Sequence, residues 1–283
     1  MKRKILIGAI ITILILFMYE LIFGKLFPFT PIICGFTKHE LPQTNIYVQK
    51  GATYSDFTRI DTLISIVEDF HELKFKYKPK VFIFRDSASF MRHSLSKARF
   101  CVYPNSRLFI STWALKEANE GTISLEIYLL HELSHSLIDQ NAGFIRAYRY
   151  PQWIMEGIAV YSTNQMGTSF YPTKEETYQN IANGNFLPPL DFKTKKEDDT
   201  KLHVKYPIAF IYSEFACIVD YLVATYGKEK LILFMNKLME NSDNDEIFKE
   251  VYPIEFSKAI QDFQQQVKEK GKKTADGRRQ SAD

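Results

Sequence analysis

Two histidines four positions apart, His131 and His135, sit in a leucine-rich stretch, and together they constrain this chain more than any other feature. At about 100° per residue, positions i and i+4 of an α-helix lie only about 40° apart on one face. Leu129, Leu130, Leu133 and Leu137 form an apolar stripe on the opposite side. One face can therefore be buried while the other stays available for chemistry. The pattern predicts a helix from about Thr122 to Gln140.

Glu132 completes the sequence His131-Glu132-Leu133-Ser134-His135. Two imidazoles on one helical face can bind a single Zn²⁺. The carboxylate beside them can reach a water molecule at the metal without ligating the ion. A catalytic zinc takes three protein ligands and leaves one position open. The third is expected from Glu156, in Trp153-Ile154-Met155-Glu156-Gly157, on the next predicted helix. Without a metal, the same residues are the polar, solvent-facing side of an amphipathic helix. The second glutamate-bearing helix makes that the lesser alternative.

These two segments, with Pro151 leading into the second and Ala159 and Tyr161 following in it, resemble the gluzincin metallopeptidases, in particular their peptidase-MA-like families. Asn183-Gly-Asn-Phe-Leu-Pro-Pro-Leu190 is similar to that group's connection, and Tyr212-Ser-Glu-Phe215 to its following helix. The resemblance spans about residues 45–240. It implies a zinc-dependent peptidase with His131, His135 and Glu156 as metal ligands and Glu132 as general base. It also makes Tyr212 a candidate oxyanion stabiliser, against the alternative that it only packs its helix. The thermolysin-like acidic residue one turn after the ligand glutamate is replaced here by Val160, with Asp139 a weak substitute for orienting a histidine. In the resembling enzymes a strand just before the histidine helix borders the cleft. This makes Arg107–Thr112 a candidate for pairing with an extended peptide, or equally a strand paired within its own sheet.

The amino end is a second constraint. Lys2, Arg3 and Lys4 precede the uncharged, almost wholly apolar run Ile5–Tyr19, which Leu21-Ile-Phe23 extends past Glu20. That is long enough to span a bilayer as an uncleaved anchor, with a secretory signal peptide as the competing reading. The basic end argues for a cytoplasmic N-terminus and an extracytoplasmic remainder. Residues 24–44, punctuated by Pro28, Pro31 and Pro42, read as a linker.

The expected fold class is α+β: a small mixed sheet with helices, the histidine helix beneath it, then a mostly helical C-terminal half. Strands are expected at 45–49, 80–84, 98–103 and 107–112, with a helix over 55–75 and a short one over 88–97. After the histidine helix, 141–150 reads as a loop whose Arg146, Tyr148 and Arg149 either face acidic substrate groups or are solvated. Helices follow at 151–164, 208–226, 228–239, 245–251 and 254–268. Thr173-Lys-Glu-Glu176 is a capping box for one more. Lys193–Lys201 reads as a solvated charge run and His203 as a surface residue. The domain layout is thus anchor 1–24, linker 25–44, peptidase-like domain 45–270 and a disordered polar tail 271–283.

Composition narrows the partners. A net charge of +3 leaves no nucleic-acid footprint. The implied partners are a peptide or protein substrate and, through the N-terminal helix, a membrane. Cys34, Cys101 and Cys217 have no metal-binding spacing, and the last two suit small buried positions. A catalytically inactive, membrane-anchored zinc- or peptide-binding module is the alternative function. The intact Glu132 speaks against it, because zinc binding alone does not need that residue.

Overall fold

A computed structural model describes residues 2–54, 56–103, 105–193 and 197–280. Helix α1 (Lys2–Phe23) leads through a 3-10 turn at Phe27–Phe29 into strands β1 (Phe36–Glu40) and β2 (Asn45–Gln49). Helix α2 (Phe57–His71), β3 (Lys80–Ile83), α3 (Ser87–His93), β4 (Phe100–Tyr103) and β5 (Arg107–Ile110) follow. Thereafter the described chain is helical: α4 (Thr112–Asn119), α5 (Leu125–Ala142), α6 (Phe144–Arg149), α7 (Gln152–Ser162), α8 (Lys174–Ala182), α9 (Pro207–Tyr226), α10 (Lys228–Glu240), α11 (Asn244–Val251) and α12 (Phe256–Gln280).

The five strands form one mixed sheet in the order β1-β2-β3-β5-β4. The β2–β3 and β3–β5 pairs are parallel, and both outer pairs are antiparallel. One face carries Ile46, Val81, Ile83, Leu108 and Ile110, and packs on α2 and α5 through Leu63, Val67, Leu129, Leu133 and Leu137. The leucine stripe of the histidine helix is thus what docks it under the sheet. The opposite face is aromatic, with Phe82, Phe84, Phe109 and Tyr103 enclosing Phe27. A separate core fills the helical half around Trp153, Ile158, Phe215, Ile218 and Phe234.

Residues 24–44 are not a free linker. Phe27 is fully buried, and Arg107 donates from Nη1 to the Phe27 carbonyl at 2.6 Å and from Nη2 to that of Thr30. The prolines mark turns at the ends of elements here, and Phe36–Glu40 is too polar to read as a strand from its pattern. It lies at the sheet edge and, among the described residues, pairs only with β2, where exposed polar side chains are tolerated. Of the two readings of Arg107–Thr112, β5 takes that of a strand paired within its own sheet and not that of a peptide-binding strand. It is hydrogen-bonded on both sides, so its backbone groups are committed, and β4 is the free edge.

Two short helices, α4 of 8 residues and α6 of 6, go unseen in the sequence pattern because each is too short to show a clear helical period. The expected helix start at Ser55, Pro104 in the β4–β5 turn, 194–196 of the charge run and 281–283 lie outside the described residues. Helix α12 continues past Gly271, where polar composition alone predicts the tail to begin.

Both α1 and α9 are long and apolar enough to cross a membrane. They differ in burial. The α9 window is 56% buried in the helical core, whereas that of α1 is 0% buried. Only α1 therefore presents its apolar surface outward, as an anchor or a signal sequence would.

Candidate metal centre

Helix α5 begins at Ser124, whose hydroxyl accepts from the Ile127 N–H, with Glu126 in the first turn where the helix dipole favours a negative charge. It ends at Gly143, whose φ of +79° turns the chain sharply into α6. Between these ends the helix projects His131, Glu132, His135 and Asp139 into a cleft.

Glu156 reaches the same cleft from α7, and the neighbours of Glu156 explain how. Trp153 is fully buried and donates its indole N–H to Asn244 Oδ1 at 2.8 Å, tying α7 to α11. Gly157 lets α9 approach closely: a Cβ there would lie 2.8 Å from the Phe215 carbonyl oxygen. That approach also sets Tyr212 of α9 over the site, its ring nearly parallel to that of His131 at 6.3 Å between centroids.

The three proposed ligands converge. His131 Nε2 and His135 Nε2 are 3.0 Å apart, and each is 3.3 Å from Glu156 Oε2. Tetrahedral zinc with bonds of about 2.0–2.2 Å separates its ligand atoms by roughly 3.3 Å. His131 Nδ1 lies 2.8 Å from Gln165 Oε1. A carbonyl oxygen only accepts, so Nδ1 carries the proton and Nε2 presents its lone pair. Glu156 Oε2 is buried and accepts no well-formed hydrogen bond among the described residues. Lone-pair donors facing one another at these distances fit a shared cation.

The electrostatics agree. Burial is the largest influence on His135 and lowers its pKa, but the charge and hydrogen bonding of Glu156, with the charges of Glu132 and Asp139, together outweigh it and raise the imidazole to about 9. Burial likewise opposes ionisation of Glu156, yet the charges and hydrogen bonds of His135 and His131 together hold that carboxyl well below the usual range. The cradle stabilises a positive charge whether a proton or a metal supplies it. Glu132, beside it on α5, is raised by burial, with the two imidazoles pulling the other way.

Three further residues about the site were not legible in sequence. Gln165 does for His131 what an acidic residue at position 160 would do. Asn164 takes the left-handed conformation, φ 51°, and the Gln165 N–H bonds back to the Val160 carbonyl, which returns the Gln165 side chain to His131. An Asn just past a helix is the one signal that such a turn exists, though not where it points. Tyr171 lines the cleft, its hydroxyl raised by burial and by Tyr128, Glu156 and Glu132 nearby. His71 of α2 is buried behind the site, its Nε2 2.8 Å from Ser134 Oγ. Asp139 lines the cleft near His135 but does not bond it: His135 Nδ1 has no hydrogen-bond partner among the described residues. His203 is exposed and lies apart from this group. All three cysteines are free, with Cys217 buried and Cys34 exposed.

The cleft itself is about 1310 Å³, larger than a small-molecule pocket and suited to a polypeptide segment. It runs along β4, which supplies Phe100 and Val102. Glu214, buried on α9, accepts the Leu187 N–H and secures the Pro-rich connection that leads to Phe192, which lines the cleft.

A family model described as the Peptidase MA superfamily matches residues 124–269, more than half of the chain. The chain belongs to the peptidase MA superfamily. The matched segment opens at Ser124, the cap of α5, and takes in α7, α9 and most of α12. It therefore contains the whole His-His-Glu group of this peptidase MA chain, while the sheet lies outside it. No curated protein matches the chain.

Proposed function

We propose that this protein is a zinc metallopeptidase, anchored in a membrane by α1 and working outside the cytoplasm. The observation that carries the reading is the convergence of His131 Nε2, His135 Nε2 and Glu156 Oε2 at zinc-ligand spacing, in a chain of the peptidase MA superfamily. When bound there, zinc would polarise a scissile carbonyl and make a water acidic enough to ionise near pH 7.

The protein's own residues do the rest. Glu132 accepts the proton of the attacking water and hands it to the leaving amine, and its raised pKa suits both directions of transfer. Gln165 fixes the His131 tautomer. Tyr212 offers its O–H to the developing oxyanion. The unpaired edge of β4 accepts an extended substrate as an added strand along the cleft. Lys2, Arg3 and Lys4 keep the N-terminus in the cytoplasm.

The test pairs two substitutions in the full chain. Glu156→Ala removes a ligand, and zinc content should fall. Glu132→Gln should keep zinc near one per chain while cleavage of a peptide library drops by about 10²–10⁴. Undiminished cleavage by Glu132→Gln rejects the mechanism. Zinc bound by a parent that cleaves nothing favours a binding module instead.

A further inference from the structure

Outside α1, the three most exposed large apolar side chains among the described residues are neighbours on one short helix. Phe144, Ile145 and Tyr148 of α6 are 65%, 68% and 90% exposed. At about 100° per residue they occupy a single face spanning about 100°. Solvent alone gives no reason for such a cluster.

The hydrogen bonds show where this face lies. Helix α5 runs alongside β4, with Tyr128 stacked on Phe100 near its start and Gln140 bonded to Ser106 near its end. Gln140 also accepts from the Tyr77 N–H, and α6 begins four residues later. On the other side of the same β4–β5 turn, Asn105 donates to the Pro28 carbonyl, and Arg107 binds those of Phe27 and Thr30. The root of α1 and the exposed face of α6 thus sit at the same end of the molecule.

That end is also basic. Arg149 borders the apolar face, Arg146 is exposed one step further round the same helix, and neither forms an ion pair among the described residues. Lys76 binds the Asn141 carbonyl, and Lys25, two residues past α1, binds those of Met91 and Ser94. Exposed Phe29 and Tyr77 add aromatic surface beside them. Apolar side chains with aromatic and basic neighbours are what an anionic lipid interface accepts.

We propose that the Phe144–Ile145–Tyr148 face of α6 inserts into the interface of the membrane that α1 spans, and so turns the α6 end of the cleft toward the lipid. This rests on the anchor reading above and is independent of peptidase activity. Phe144, Ala147 and Tyr148 line the cleft at that end.

The test places single tryptophans in the full chain, reconstituted in nanodiscs of phosphatidylcholine with a minority of phosphatidylglycerol, and compares acyl-brominated with unbrominated lipid. Leu14→Trp in α1 reports the anchor. Phe144→Trp reports the proposed contact. Asn119→Trp lies past the opposite end of α5, about 27 Å of helix away, and is the control. An interfacial helix buries its face about 5–10 Å deep, so bromination should cut the added emission of Phe144→Trp by roughly half and leave Asn119→Trp unchanged. Quenching of Leu14→Trp alone keeps the anchor and overturns the proposal. No quenching of Leu14→Trp rejects the anchor, and the proposal falls with it. Should Phe144→Trp stay bright while the triple substitution F144D/I145D/Y148D converts a dimer to a monomer, a second copy covers this face and the proposal is wrong.

Discussion

Replacing Gln165 with Leu tests whether a neutral amide orients the metal site. Gln165 is fully buried, and His131, 4% exposed, donates Nδ1–H to it across 2.8 Å. Leucine keeps most of the volume and removes the acceptor. A buried N–H left without a partner costs about 1–3 kcal/mol. In the metal-free protein the imidazole can escape that cost by turning or by moving its proton to Nε2. Zinc removes both escapes, because it needs the Nε2 lone pair and so forces the proton onto Nδ1. The penalty therefore falls mainly on the bound state. Losing such a supporting bond typically weakens metal affinity about 10–100-fold, which corresponds to about 1.4–2.7 kcal/mol. Competition against a chromophoric chelator, on the full chain in detergent, measures the ratio directly. Gln165→Glu retains an acceptor and should bind zinc at least as well as the parent. If Gln165→Leu stays within twofold of the parent, Gln165 does not orient His131 and the reasoning fails.

The remaining predictions address packing, titration and catalysis. Gly157→Ala would put a Cβ 2.8 Å from the Phe215 carbonyl and force α7 and α9 apart, so chemical denaturation should show a loss of about 1–3 kcal/mol. His71 is buried, and burial lowers its pKa from 6.5 to about 3. Its folded pKa lies below its unfolded one, so its contribution is complete above pH 6.5 and is lost as pH falls toward 3. By pH 5 that loss is about 2 kcal/mol. Denaturant midpoints measured from pH 7 to 5 should fall less steeply in His71→Gln than in the parent, and equal slopes would refute the assignment. Tyr212→Phe should hold zinc within a few-fold yet lower kcat by about 10²–10³ with little change in KM, as expected for loss of an oxyanion donor. A change confined to KM would reduce Tyr212 to a packing residue.

Much of the chemistry was local and therefore legible in sequence. The i,i+4 histidines and the leucine stripe lie within a single helix, so helical periodicity alone fixes their faces. The same holds for the capping box at Thr173 and Glu176, which the structure contains in full. The apolar run of α1 was equally plain, since length and hydropathy are composition properties.

What depended on chain paths through space was not. Which strand borders the cleft follows from sheet order, and a parallel crossover places β5 inside and β4 at the edge, the reverse of what proximity to α5 in the chain suggests. Phe36–Glu40 becomes a strand only because β2 is there to pair with it. Gln165 reaches His131 across 34 positions through one left-handed turn at Asn164, and no periodic pattern records where such a turn points. The sequence by itself determined which residues could hold a metal, because their spacing on a helix is a local property. Only the tertiary structure decided that Glu156 meets them, what orients them and which face of α6 is left uncovered, because those follow from packing between distant segments.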